Sequence, residues 1–206
     1  MSECFMKTLF SAGCQKFDYA ARFDVPKDAN TEGLTSLRYA LRVVNKSSLR
    51  FISENWDTSN IIDFEGCFQG ATFDGSVIMN LDYSHGITFE KMFENARDTN
   101  DFKDFYKMDC SRGINYRKMF YKSPMYNLCD DHKNIDFEAE RTAYTERYFP
   151  NNLNYENISK IKVNHKGNFS MFFRRLPKEE AEHFRNWFPD MDIIDIIEKL
   201  TTVNIF

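Results

Sequence analysis

Trp56-Asp57-Thr58-Ser59-Asn60-Ile61-Ile62-Asp63-Phe64-Glu65-Gly66-Cys67-Phe68-Gln69-Gly70-Ala71 is the stretch that organises this chain, because its pattern returns twice without a gap, from Leu81 and from Met108. The three copies start 25 and 27 residues apart. In each, an apolar residue (Trp56, Leu81, Met108) precedes an aspartate (Asp57, Asp82, Asp109), and a serine (Ser59, Ser84, Ser111) follows two residues later. That spacing suits an Asx turn, in which the carboxylate accepts backbone N–H bonds and ends an extended segment. An isoleucine (Ile62, Ile87, Ile114) then leads to a residue able to cap a helix: Asp63, Thr88 or Asn115.

After the cap, apolar or small residues recur at i, i+3, i+4 and i+7: Phe64-Cys67-Phe68-Ala71, Phe89-Met92-Phe93-Ala96 and Tyr116-Met119-Phe120-Ser123. A capping side chain followed by that spacing predicts a short amphipathic helix with one buried stripe. Each unit therefore reads as short strand, turn and short helix, and three ungapped copies at a fixed period read as a stacked repeat array.

Weaker copies extend the pattern. Upstream, Ser36 precedes Leu37-Ala40-Leu41-Val44 and stands 27 residues before Asp63; Phe23-Asp24-Val25 supplies its extended piece, with an insertion around residues 26–33. Met6-Leu9-Phe10-Gly13 reads as a terminal half-unit. Downstream, Asn168 precedes Phe169-Phe172-Phe173-Leu176, 53 residues after Asn115, behind a strand-like alternation over residues 158–163. The polar residues 129–150 between them read as a degenerate unit or an insertion. From Pro177 the pattern changes to two helices, Lys178 to Phe188 and Met191 to Leu200, separated at Pro189. The organisation is thus an N-terminal cap or half-unit over 1–22, a repeat array over 23–177 and a C-terminal helical cap over 178–206. The fold class is an α/β repeat, a small solenoid whose last coil needs such a cap.

The quoted stretch resembles the repeat of the BspA-like leucine-rich-repeat proteins, also described as a Mycoplasma-type surface-lipoprotein repeat of unknown function, whose unit runs roughly W-D-T-S-N-V-T-N-M-S-x-M-F-x-x-A. The resemblance covers about residues 54–125, and the units at Leu81 and Met108 keep its Asp, Ser, Phe and Ala/Ser columns without the Trp. It implies a leucine-rich-repeat-like solenoid and a role in adhesion or protein binding, and it carries over no catalytic residue.

Composition narrows the function classes. Phe 21, Tyr 10 and Met 9 supply much of an apolar content of 42%, so the packing is aromatic. A net charge of −4 places no basic field on the surface, which weighs against non-specific binding to nucleic acid or anionic lipid. The longest apolar runs, Ile193-Ile194 and Ile196-Ile197, fall far short of the ~20 residues of a membrane span. Leu9-Phe10-Ser11-Ala12-Gly13-Cys14 faintly resembles a lipoprotein cleavage site, but Glu3 stands where positive charge is needed and the apolar stretch is short, so a cytoplasmic location is expected. Cys4, Cys14, Cys67, Cys110 and Cys129 are scattered without a CxxC, which indicates neither a disulfide framework nor a zinc site.

The chain shows no phosphate loop, HExxH or GxSxG. Cys129 and His132 lack a second ligand pair, Ser84 beside His85 already has a turn role, and the pairs Asp130-Asp131 and Asp190/Asp192 read as loops and helix starts. Arg174 and Arg175 follow Phe172 and Phe173, whose rings belong to the apolar stripe. No enzyme activity, cofactor, metal or small-molecule substrate is therefore expected. If Trp56, Leu81 and Met108 point inward, alternation turns Asn55, Asn80 and Lys107 outward, and together with the variable positions Thr58, Tyr83 and Cys110 they form the candidate partner-binding lane. The reading is a non-enzymatic protein-binding module, an intracellular inhibitor or adaptor that would suit a phage or mobile element. Its alternative is a structural component of a virion, surface assembly or adhesin.

The columns make a quantitative demand on stability. Phe93→Ala should cost roughly 3 to 5 kcal/mol as truncation of a buried aromatic, and Thr88→Ala only about 0.5 to 2 kcal/mol as loss of a cap. Denaturant melts of the two variants check the order, and a larger loss from Thr88 would reverse the assignment of core and cap columns.

Overall fold

The computed structural model describes residues 33–42, 46–123 and 153–202. The expected half-unit, the Cys14 segment, the extended piece at residues 23–25 and residues 129–150 lie outside the described residues. Five passes of the chain run side by side and parallel, joined by bridges from Ser36 to Asp63, Asp63 to Thr88, Thr88 to Asn115 and Asn115 to Asn168. These are the residues that the repeat columns bring into line. The pass at Asn168 pairs directly with that at Asn115, so the spacing of two periods between them does not correspond to a further pass interposed in the ladder.

The local structure departs from the expected order of strand, turn and helix. Residues 64–71, 89–96 and 116–123 form no α-helix; they are runs of turns. In the first copy, Cys67, Gln69 and Ala71 donate their N–H to the carbonyls three residues back, while Phe64, Gly66, Phe68 and Gly70 donate to Thr88, Glu90, Met92 and Glu94 of the next pass at 2.8–3.0 Å. Half of the donors that an α-helix would use internally are thus committed to a neighbour. The turns also need a left-handed residue at every fourth position: Gly66 and Gly70, Lys91 and Asn95, Lys118 and Lys122. Gly66 is required twice over, because a Cβ there would come 2.0 Å from the Tyr39 ring. We call this structure a turn ribbon.

Helical segments instead precede the four units whose preceding residues are described. The helix α1 (Lys46–Asn55) leads into Trp56, α2 (Gly75–Ile78) into Leu81, a 3-10 turn (Phe105–Lys107) into Met108 and α3 (Tyr155–Ile158) into Ile161. The expected strand over residues 158–163 is accordingly only its second half: Ile158 ends α3, and β4 is Lys162–Val163. Short parallel pairs reinforce the ladder, β1 (Thr72–Phe73) with β2 (Arg97–Asp98) and β3 (Asp109–Cys110) with β4. Asp98 is buried and accepts bonds from the N–H groups of Gly75, Asn100 and Phe102 at 2.7–2.9 Å. Burial raises its pKa despite those donors. Gly75 admits the close approach, since a Cβ would lie 2.3 Å from Asp98 Oδ2.

The core is a set of aromatic columns. Phe64, Phe89, Tyr116 and Phe169 stack with centroids 5.5, 5.8 and 4.7 Å apart, and Phe68, Phe93 and Phe120 at 5.6 and 5.2 Å. Offset stacking adds to the area these rings bury. At the C-terminal end, α4 (Lys178–Ala181) runs into a 3-10 helix (Glu182–Asn186), and α5 (Ile193–Thr201) follows. The last turn of α5 meets the last ribbon directly: Met171 N–H donates to Thr202 O and Phe173 N–H to Leu200 O, each at 2.9 Å. Carbonyls at a helix end, which have no intrahelical donor, thereby satisfy N–H groups that have no further pass to reach.

A turn ribbon and a helix respond oppositely to glycine. Lys118 has φ 59°, so Lys118→Gly should change stability by between zero and about +1 kcal/mol, because the relief of left-handed strain offsets the greater freedom of the unfolded chain. In a helix interior the same change would destabilise by about 1 kcal/mol. A thermal melt separates the two outcomes.

Candidate interaction surface

Each unit turns its chain by the same two side-chain contacts. Asp57, Asp82 and Asp109 accept from the N–H of Ser59, Ser84 and Ser111 at 2.8–3.1 Å, as the Asx-turn spacing predicts. Ser36, Asp63, Thr88, Asn115 and Asn168 then accept from the N–H two residues on at 2.9–3.5 Å, starting a turn rather than a helix. Asp192 caps α5 by accepting from Asp195 N–H at 2.9 Å. Ser84 Oγ lies 3.3 Å from His85 Nδ1, an exposed contact between sequence neighbours. Among the described residues no group of three or more His, Cys, Asp or Glu side chains could hold a metal ion, and no helix is long and apolar enough to cross a membrane.

The candidate lane divides in two. Asn55, Asn80 and Lys107 are exposed at the ends of the helical segments; Asn55 Nδ2 donates to Phe51 O, and Lys107 pairs with Asp104 at 2.7 Å. Thr58, Tyr83 and Cys110 are buried, which removes them from any partner-facing surface. Thr58 Oγ1 accepts from Asp82 N–H, Tyr83 OH donates to Ile78 O, and Cys110 sits in β3 with its thiol pKa raised by burial. The alternation that turns Asp57 outward carries the following residue back in.

Two outward columns took their place. Ile62, Ile87 and Ile114 occupy one column on successive passes, linked through Ile87 N–H to Ile62 O at 2.8 Å and Ile114 N–H to Ile87 O at 2.9 Å. Ile62 is 50% and Ile114 60% exposed. Their apolar type concealed this, since a repeated isoleucine looks like core.

Beside this ridge lies the outer face of the ribbon, formed by the second, third, sixth and seventh residues after each cap. Its first four passes carry an ion-pair chain: Arg38 to Glu65 at 2.9 Å, Glu65 to Lys91 at 3.9 Å, Lys91 to Glu90 at 2.9 Å and Glu90 to Arg117 at 2.8 Å. Tyr39 OH donates to Glu65 at 2.5 Å and Asn115 Nδ2 to Glu90 at 3.0 Å. Burial alone would raise the pKa of Glu90, but the bonds from Lys91, Asn115 and Arg117 outweigh it and hold the pKa below the ordinary value; the bond to Glu90 raises that of Lys91.

This chain is defined, then, by in-register passes whose recurring residues serve turns and core. It belongs to the family described as Mycoplasma protein of unknown function, DUF285, whose model matches residues 35–161. That match reaches beyond the stretch carrying the sequence resemblance and takes in the first described pass. Comparison with curated proteins and with solved structures returns no match.

The ion-pair chain has a pH signature. A carboxylate with a lowered folded pKa stabilises above its unfolded pKa, about 4.3, and the contribution is lost as pH falls through the folded value. Glu90→Gln should therefore cost about 1 kcal/mol at neutral pH, with the difference from the parent closing below about pH 4. Urea melts at neutral and acid pH test this; an equal gap at both would contradict an ionised Glu90 at the centre of the chain.

Proposed function

We propose that this chain is a non-enzymatic protein-binding module, a small leucine-rich-repeat-like solenoid of the BspA-like kind, acting as an inhibitor or adaptor by covering a partner's surface. The observation that carries the reading is the outward ridge of exposed Ile62, half-buried Ile87 and exposed Ile114, in which residues 25 and 27 positions apart in sequence are brought side by side. Isoleucine left in water gains from burial, at about 25 cal/mol per Å² of apolar area covered. Acidic residues that acid–base or metal chemistry would need have structural roles instead: Asp57, Asp82 and Asp109 hold turns, Asp98 ties Gly75 to the loop after it, and Asp192 caps α5. Asn55, Asn80 and Lys107 add exposed polar groups at the helix ends.

Affinity capture from the native cell, with the parent and an Ile62→Thr/Ile114→Thr variant as baits, tests the reading. Threonine keeps the β-branched shape and removes apolar area. A stoichiometric protein retained by the parent and weakened about tenfold or more by the variant is expected. Failure to recover any stoichiometric partner counts against the module. Fractionation of the same cells separates the alternative, since a pool found only in particles or in a surface fraction would favour a structural component or adhesin.

A further inference from the structure

The charge of the ribbon's outer face is opposite in sign to that of the chain. The protein carries a net charge of −4, yet this face presents eight cationic side chains and three carboxylates. The three carboxylates are Glu65, Glu90 and Glu94, and all stand on its second and third passes. Arg38, Lys91 and Arg117 are engaged by the ion-pair chain. Beyond it, Lys118, Lys122, Arg174 and Arg175 stand on the last two passes, where the face has no carboxylate.

The two passes are tied together by Lys118 N–H to Ser170 O at 3.1 Å and Phe120 N–H to Phe172 O at 3.0 Å, and Arg174 and Arg175 follow directly in the chain. Lys118 and Lys122 both place their ammonium groups 5.4 Å from the centroid of the Tyr121 ring. Lys118, Lys122 and Arg175 form no ion pair with a carboxylate among the described residues. Like charges gathered on adjacent strands repel, and an anion placed among them relieves that repulsion.

We infer that this end of the ribbon face, Lys118 and Lys122 at the Tyr121 ring with Arg175 on the adjoining pass, is a contact site for an acidic segment of a protein partner. The inference rests on the protein-binding reading above and adds the partner's chemistry. Carboxylates fit better than nucleic acid for two reasons. Tyr121 is the aromatic residue within the cluster, and both lysines already engage its ring, which leaves no free platform for stacking a base. The cationic face is confined to one side of a chain that is acidic as a whole, so a long polyanion that extends beyond this face would meet repulsion that a short acidic stretch avoids.

A labelled short oligo-glutamate peptide, titrated with the full chain and followed by fluorescence anisotropy, is the direct test. Binding is expected that weakens with salt and falls about tenfold or more in Lys122→Glu/Arg175→Glu, while Arg50→Glu, an exposed arginine on α1, leaves it unchanged. Both charge-reversed residues are exposed, and an unchanged thermal melt verifies that the fold is intact. No binding, equal binding by the double variant, or tighter binding of single-stranded RNA or of phosphatidylserine vesicles would overturn the inference. Affinity capture distinguishes the two levels: a partner lost with the isoleucine ridge but indifferent to Lys122→Glu/Arg175→Glu sustains protein binding and removes this site.

Discussion

The interaction on which the rest depends is the donation of every second ribbon N–H to a carbonyl of the next pass. Gly66 N–H to Glu90 O at 2.8 Å, Lys91 N–H to Arg117 O at 2.9 Å and Lys118 N–H to Ser170 O at 3.1 Å are the same bond on successive passes. Because those donors leave the local chain, the segment cannot close α-helical rings and folds as successive turns with a left-handed residue every fourth position. The bonds also fix register residue by residue. Register in turn sets ring over ring, so that Phe64 and Phe89 lie nearly parallel, at 4°, and Phe68 and Phe93 at 2°. A slip by one residue would replace the stacked rings by outward polar positions, which explains why sequence spacing and spatial alignment agree so closely.

That register makes the outer surface a grid. Each outward column places equivalent side chains about 4.8 Å apart, the spacing of bonded strands, close enough for charges to pair or to accumulate. Glu65 and Glu90 bridge cations on their own and neighbouring passes and build a connected chain. The equivalent positions of the last passes hold Lys118, Lys122 and Arg175 without an interposed carboxylate, and cationic character accumulates there. The scaffold is common to both ends of the face; the side chains it aligns differ.

Particular local features were legible in the sequence, and the error beside them has a definite cause. The Asx turns, the cap columns, the pass at Ser36, the pass at Asn168 and the C-terminal helices all follow from residue type and spacing. The helix expected after each cap does not form because an amphipathic helix and a ribbon of four-residue turns share the positions i, i+3, i+4 and i+7. Over eight residues, periods of 3.6 and 4 cannot be separated by hydrophobicity alone. Gly66 and Gly70, four residues apart, carried the distinguishing information, since each would cost about 1 kcal/mol in a helix interior. Two of the helical segments before the units were missed because Gly75-Ser76-Val77-Ile78 and Phe105-Tyr106-Lys107 are too brief to show a period of their own.

The surface was less legible, for a reason rooted in the repeat. Recurrence marks positions where the fold requires a residue type, and these are the inward or turn-forming columns; even Thr58, Tyr83 and Cys110, which vary in type, vary inside the core. Outward columns that do not need a left-handed backbone are free of that requirement, as the change from Glu65 and Gln69 to Arg117 and Tyr121 at equivalent positions makes plain. Ile62, Ile87 and Ile114 depart from this rule: they recur and yet face outward, with Ile62 and Ile114 at least half exposed. Side chains between the ladder and the Asx turn can be polar or absent at no cost to the core, as Thr35 and Gly167 in the same column of the outer passes illustrate, so packing does not account for isoleucine on the three central ones. Recurrence without burial is the signal by which a binding ridge could be found in such an array, and it becomes readable only once the structure has separated the inward columns from the outward ones.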